Sequence, residues 1–171
     1  MIYVAIFVAT VLAMEGVAWL MHRYLMHGPL WIVHKSHHRR REGRFELNDA
    51  FGIFFAVPSM ILIYYGVRGQ PALLAIGLGM TMYGALYFLM HDVLVHRRLK
   101  LPFIPQKGYL HRVVRAHLVH HRTTTKEDAV SFGFLFAGDP ERLLARMEAK
   151  AAARKGASPE APAPTRGHGQ A

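Results

Sequence analysis

The sequence predicts an all-α integral membrane protein: three to four transmembrane helices and a cytoplasmic helical cap holding a histidine-rich site for two metal ions. Three observations predict it. The 171 residues are 52% hydrophobic and 19% charged, with a mean hydropathy of +0.15; this excludes a disordered or fibrous chain and is too apolar for an ordinary soluble domain. Three apolar blocks interrupt the charge: Met1–Met21 carries only Glu15, while Ala50–Val67 and Pro71–Met90 carry no charged residue. Twelve residues are histidine, and eleven of them fall in regions that the Lys and Arg distribution assigns to one membrane side. Cysteine is absent, which excludes a disulfide framework, a thiolate nucleophile, Cys-held zinc, iron–sulfur clusters and Cys-ligated haem.

The elements follow in order. A spanning helix takes about 20 mostly apolar residues. The first block lacks the basic start and small-residue cleavage site of a signal peptide, and histidines follow it at once, so it is expected to stay as a span. Pro58 in the second block is tolerated in a membrane helix. Ala75, Gly79 and Gly84 in the third suit close helix packing. No Lys or Arg precedes the first span. Arg23, Lys35, Arg39, Arg40, Arg41 and Arg44 follow it, Arg68 alone separates spans two and three, and eight more lie between Arg97 and Lys126. The positive-inside rule then places both histidine-bearing regions in the cytoplasm, the N-terminus and the Arg68–Gln70 turn outside, and the chain in the inner (cytoplasmic) membrane.

Leu99–Gly108, with two prolines and a terminal glycine, reads as a connector, and Tyr109–His121 as a helix. Val130–Ala137 is apolar but short: an interface segment, a cap, or a fourth partly buried segment. Pro140–Lys155 reads as a helix and Ala157–Ala171 as disordered. The expected organisation is a membrane-embedded domain over 1–139 and a C-terminal helix and tail over 140–171. A net charge of +10 would also suit nucleic acid, but the basic residues flank spans, which argues against that partner.

The histidines repeat: His22 and His27 as HxxxxH, His34, His37 and His38 as HxxHH, His91 and His96 as HxxxxH, and His117, His120 and His121 as HxxHH. On a regular helix the three rings of HxxHH occupy one arc of about 100°, so adjacent histidines can address two neighbouring metals. The two rings of HxxxxH lie about 140° apart; they either serve different metals or require a local distortion of the helix. His111 lies about 180° from His120 and is left out, as is His168 in the tail.

Imidazole suits iron, zinc, copper or nickel. Ten ligands are too many for one ion, so two ions are expected. The clusters carry none of the paired carboxylates of soluble di-iron bundles. An all-imidazole pair at a membrane face fits O₂ chemistry on a lipid-soluble substrate. With no GxGxxG fingerprint, the electrons must come from a separate donor, and a basic cytoplasmic face suits an acidic one.

The segments HRYLMH, HKSHH, FELNDAF, LYFLMHDVLVHRR, PQKGYL, AHLVHH and SFGFLF resemble the bacterial beta-carotene 3-hydroxylases, of the fatty acid hydroxylase/sterol desaturase superfamily. The resemblance runs from Glu15 to Phe136. It implies a non-haem di-iron monooxygenase that hydroxylates the β-ionone rings of β-carotene through β-cryptoxanthin to zeaxanthin. It also implies two iron ions, O₂ as co-substrate, reduced ferredoxin or a similar donor, and a carotenoid substrate within membrane lipid. The ligands and catalytic residues it implies are His22, His27, His34, His37, His38, His91, His96, His117, His120 and His121.

Two other readings stay open from the residues: a hydroxylase or desaturase of a fatty acyl, sterol or other membrane lipid, and a non-enzymatic metal-handling protein. A carrier would place histidines across the membrane, whereas these lie on one side. Glu15, a charge inside a span, marks either a functional site or a contact with a polar group on another span. Asn48, Asp49 and Asp92 are candidates to accept N–H bonds from imidazoles, with helix capping as the plain alternative. Tyr64, Tyr65, Tyr83, Tyr87 and Phe88 either line a polyene channel or serve span packing and interface anchoring.

Overall fold

The first apolar block forms α1 (Ile2–Leu20), which runs on through a π-helical stretch, Met21–Met26. A four-residue helix, α2 (Trp31–His34), follows. A 3₁₀ turn at Leu47–Asp49 opens α3 (Ala50–Gly66), and α4 (Pro71–Tyr87) continues into a second π-helical stretch, Phe88–Val95. Then come α5 (Gly108–His120) and α6 (Pro140–Gly156). This computed structural model describes residues 1–39, 43 and 45–156. Arg40, Arg41, Arg44 and the 157–171 tail with His168 lie outside the described residues. Among the described residues there is no strand.

Three continuous helices are long and apolar enough to cross a membrane: Ile2–Met26, Leu47–Gly66 and Pro71–Val95. Their outer faces carry Val4, Val8 and Leu12, then Ile53, Phe54 and Ile61, then Leu78 and Met82, all exposed. Apolar side chains turned outward along whole helices are what a lipid solvent stabilises. The Val130–Ala137 segment is not a fourth helix; it runs without regular structure across the histidine end of the bundle.

Small residues set the packing. A Cβ on Gly79 would lie 2.7 Å from Thr10 Cβ, and one on Gly77 would lie 2.9 Å from Ile63 N, so α4 lies backbone-close to α1 on one side and α3 on the other. Gly84, expected to do the same, has nothing within 4 Å of such a Cβ. Ser59 donates to the Gly77 carbonyl at 2.8 Å despite Pro58, and α3 runs unbroken through that proline. The pairs Thr10–Gly79 and Glu15–Tyr83 make α1 and α4 parallel, while Ile63–Gly77 and Ser59–Thr81 make α3 and α4 antiparallel. The C-terminal ends of α1 and α4 and the start of α3 therefore meet at one end.

A charged residue near the centre of a membrane helix costs about 3 kcal/mol unless it is partnered. Glu15 is 6% exposed and meets Tyr83 of α4, whose hydroxyl donates to it at 2.8 Å; of the two expectations for Glu15, the contact with another span is realised. Beyond the bundle, Asp139 caps α6 by accepting from the N–H groups of Glu141 and Arg142, with Pro140 at the first helical position. Leu143 of α6 shares a buried core with Ala116, Val119 and Val130.

Candidate metal centre

The π-helical stretches resolve the HxxxxH question. In each, the second histidine's N–H donates to the first histidine's carbonyl five residues back: His27 to His22 at 3.0 Å and His96 to His91 at 2.9 Å. The widened turn brings i and i+5 onto one face, where a regular helix would hold them apart. Each HxxxxH pair accordingly serves one cluster, and the helix is locally distorted, as one of the two sequence alternatives required.

The HxxHH motifs divide. His34 and His38 join His22, His27 and His120 in one group of five, and His117 and His121 join His37, His91 and His96 in a second. Each group thus takes an HxxxxH pair, the i,i+4 pair of one HxxHH, and the middle histidine of the other. Adjacent histidines address two neighbouring sites, as the 100° offset predicts. All ten sequence-predicted ligands are brought together, and His111 falls in neither group. Within each group one ring nitrogen per residue lies within 4.8 Å of all the others.

The hydrogen bonds say which nitrogen faces inward. In the first group every Nδ1–H donates to a neutral oxygen. His22 donates to the Phe132 carbonyl at 2.9 Å, His27 to Lys126 at 3.2 Å, His38 to Thr123 at 3.0 Å and His120 to Val130 at 2.9 Å. His34 donates to Asn48 Oδ1 at 2.7 Å. A carbonyl only accepts, so the proton sits on Nδ1 and the lone pair on Nε2. Yet Nε2 of His22 lies 3.2 Å from Nε2 of His34, and Nε2 of His27 lies 3.2 Å from that of His120. Two lone pairs at that distance repel unless a cation lies between them. Imidazole nitrogens on one ion at ~2.1 Å sit about 3 to 3.4 Å apart, so the donor set fits a transition metal.

The second group is supported differently. His37 Nδ1 donates to Glu46 Oε2 at 2.8 Å and His91 Nδ1 to Asp92 Oδ1 at 3.2 Å, leaving their Nε2 atoms 2.8 Å apart. Arg98 ties the acids together, reaching Asp49 at 2.7 Å, Asp92 at 3.2 Å and Glu46 at 3.7 Å. Three carboxylates therefore stand near the second group although the sequence shows no carboxylate pairing there, and two of them accept from the outer nitrogens of imidazoles. The 3₁₀ turn builds the bracket: Glu46 and Asp49 cap one another reciprocally.

Of the three acceptor candidates, Asn48 and Asp92 hold imidazoles. Asp49 does not; its carboxylate is taken by Arg98 and by the Glu46 N–H. Glu46 was not singled out. Its sequence signal is slight: one of three acids between His38 and Ala50, nine residues after His37. The backbone carbonyls that orient the first group have no signal in residue type at all.

Burial sets the charge state of the rings beyond the spans. Desolvation, with neighbouring imidazoles adding to it, lowers His27 to a pKa of about 4 and His38 to about 3; desolvation lowers His34 to about 4. His37, His117, His120 and His121 are held well below the ordinary histidine value, first by desolvation and then by neighbouring imidazoles. These rings are neutral near pH 7, with lone pairs available for a metal.

A cavity of about 420 Å³ opens among α1, α3 and α4, beside the histidines. Met14, Met21, Met60, Met80 and Phe55 line it, together with Tyr83, Tyr87, Phe88 and Phe134. Tyr64 and Tyr65 do not; they lie exposed. Tyr87 stacks on His91 with centroids 4.6 Å apart. Phe134 lies 5.2 Å from the ring of His22 and 5.6 Å from that of His117, touching both groups. The cavity wall is thus one ring thick beside the histidine groups.

A helical membrane-type bundle with two five-histidine groups beside an apolar cavity defines a class, the integral-membrane histidine-cluster oxidoreductases. The chain belongs to the fatty acid hydroxylase family, whose sequence model matches residues 7–139. It is 49% identical over 152 residues to the beta-carotene hydroxylase of Pantoea ananas, covering 89% of this chain and 87% of that protein. It is 50% identical over 140 residues to the beta-carotene hydroxylase of Pseudescherichia vulneris, covering 82% and 80%. The chloroplastic beta-carotene 3-hydroxylase 2 of Arabidopsis thaliana is 45% identical over 141 residues, 80% of this chain and 46% of that one. No solved structure matches the chain.

Proposed function

We propose that this protein is a beta-carotene 3-hydroxylase, converting β-carotene through β-cryptoxanthin to zeaxanthin. The observation that carries the reading is the 47–50% identity to four bacterial beta-carotene hydroxylases across at least 81% of this chain. The cavity supports it: an apolar, lipid-side chamber suits a hydrocarbon ring that arrives from the bilayer.

Hydroxylation inserts one oxygen atom: R–H, O₂, two electrons and two protons give R–OH and water. Two iron ions, held by His22, His27, His34, His38 and His120 and by His37, His91, His96, His117 and His121, would supply the O₂ activation this needs. The protein's own groups do the rest. The π-helical turns aim two rings of each group inward. Phe132, Lys126, Val130 and Thr123 carbonyls, Asn48, Glu46 and Asp92 hold the Nδ1 protons of seven of the ten rings outside, so the Nε2 atoms of those seven stay open for a metal. Tyr87 and Phe134 present apolar faces to the substrate and keep bulk water from the reacting carbon. The two β-ionone rings are chemically alike, so one site serves both in separate visits.

The electrons come in this reading from reduced ferredoxin or a similar acidic donor. Arg112 and Arg115 on α5 and Arg122 just beyond it are exposed, and supply a basic face for the donor. The basic residues at the histidine end support a cytoplasmic position for that end, with the bundle in the inner membrane. A reporter fused after Lys126 is expected to read cytoplasmic and one inserted at Gly69 external; an external reading at Lys126 contradicts this orientation.

Expression in a β-carotene-accumulating bacterium, with chromatography of the pigments, tests the function. β-Cryptoxanthin followed by zeaxanthin is the expected result. Unchanged β-carotene with hydroxylated fatty acids or sterols would move the assignment to another lipid, and a ketone at C4 would correct the ring position.

A further inference from the structure

Glu15 lies two turns before His22 on α1, about 10 Å away along the axis, and does not touch the histidines. Four donors nevertheless converge on it. Its Oε1 accepts from three successive backbone N–H groups, Phe134 at 2.9 Å, Leu135 at 2.9 Å and Phe136 at 3.1 Å. Its Oε2 accepts from the Tyr83 hydroxyl at 2.8 Å. Successive amides turned to one side form an anion cradle, and here its occupant is a side chain of another element.

The segment is packed by its side chains, with Val130, Phe132 and Phe134 buried, but its backbone has few other partners. Among the described residues no backbone–backbone hydrogen bond outside helices involves residues 130–138. Ser131 sits at φ 59°, in the left-handed region that side chains disfavour. Tyr109 donates to the Leu135 carbonyl. A Cβ on Gly133 would lie 2.8 Å from Glu15 Oε1 and 2.6 Å from the Phe136 carbonyl oxygen, so this backbone is pressed onto the carboxylate where only glycine fits.

The other edge of the same segment reaches the metal centre. The Phe132 carbonyl takes the Nδ1 proton of His22, and the Val130 carbonyl that of His120. The Phe134 ring stacks on His22 at 13° between planes. Both carbonyl-held histidines belong to the first group. The second group's counterparts, Glu46 and Asp92, lie on other elements, and this segment meets that group through the Phe134 ring, 5.4 Å from His91 and 5.6 Å from His117.

We propose that Glu15 is a positioning residue for the first-group metal: its carboxylate fixes residues 132–136, and through their carbonyls and the neighbouring Val130 it sets the tautomer and orientation of His22 and His120. This rests on the proposed metal-binding reading of the two groups.

The test compares full-length wild type with Glu15→Leu, Glu15→Gln and Gly133→Ala, purified in detergent after growth with ⁵⁷Fe, by metal content per chain and Mössbauer spectrum. Leucine suits a membrane span but accepts no hydrogen bond, and alanine at 133 pushes the segment off the carboxylate without changing α1. Both are expected to weaken first-group metal binding by about 10- to 100-fold and leave the second-group component of the spectrum in place. Glutamine keeps one oxygen for the three amides and is expected to restore most of the metal. If Glu15→Leu yields no folded protein, Gly133→Ala decides. Full metal content with an unchanged spectrum in the decisive variant, or equal loss from both groups, overturns the proposal. Wild type holding no metal overturns instead the reading on which it rests.

Discussion

The two five-histidine groups share a ligand plan and differ in what stands behind it. Each takes one HxxxxH pair, one i,i+4 pair and one histidine crossed over from the other motif. Behind the first group stand only neutral oxygens, four backbone carbonyls and Asn48. Behind the second stand Glu46 and Asp92, both tied to Arg98. The first group is also the more deeply enclosed: His22 and His120 are 1% and 0% exposed, whereas His96 and His121 of the second are half-buried. A carboxylate behind an imidazole makes it a more basic, more electron-donating ligand than a carbonyl does. The difference teaches that a repeated motif can assemble two alike sets of imidazoles, while the residues around the motif make the two sets unequal.

The largest effects come from the crossed histidines, because each is its motif's single contribution to the opposite group. His120→Ala and His37→Ala are both expected to abolish zeaxanthin formation in cells, the first by emptying the neutral-backed group and the second the carboxylate-backed one. His111→Ala is expected to leave product unchanged. A His111 variant as inactive as the His120 variant would redraw the boundary of the site.

Glu46→Gln sharpens the comparison. It removes the negative charge behind His37 without altering its size, and is expected to weaken second-group metal binding by about 10- to 100-fold. The first-group metal should be retained, and competition with a graded chelator measures both. Loss of both metals together would mean the groups act as one unit.

Arg98→Met is expected to have the smallest effect, a few-fold loss of second-group metal. Its removal frees three carboxylates from their cation but leaves Glu46 and Asp92 able to accept from His37 and His91. Titration of the purified variant with metal reads it. A loss exceeding that of Glu46→Gln would give Arg98 the larger share in holding the bracket.

Much of this was legible in the sequence. Apolar blocks near the length of a bilayer mark spans because lipid admits little else, and they fall on three of the helices. The 100° offset of adjacent histidines foretells that His120 and His121 part company at the end of α5, while His37 and His38 do so in the turn beyond α2. The five-residue spacing of His22–His27 and His91–His96 allows two outcomes, and only the π-helical turns select one. What stayed hidden is what depends on chain reversal: Glu46 behind His37, Glu15 beneath Phe134, and carbonyls at Thr123, Lys126, Val130 and Phe132. A carbonyl belongs to every residue, so no residue type announces it. Of the alternatives open for Val130–Ala137, the cap is the one realised, and Gly133 with the amides cradling Glu15 makes it an irregular strap over the histidines.

The central claim is a pair of unequal metal sites serving hydroxylation, and ⁵⁷Fe Mössbauer spectroscopy with metal analysis of the purified, active protein tests it most directly. The account predicts about two irons per chain, seen as two components of equal area and different parameters. Zinc without iron in active protein, or a single ion per chain, would contradict it.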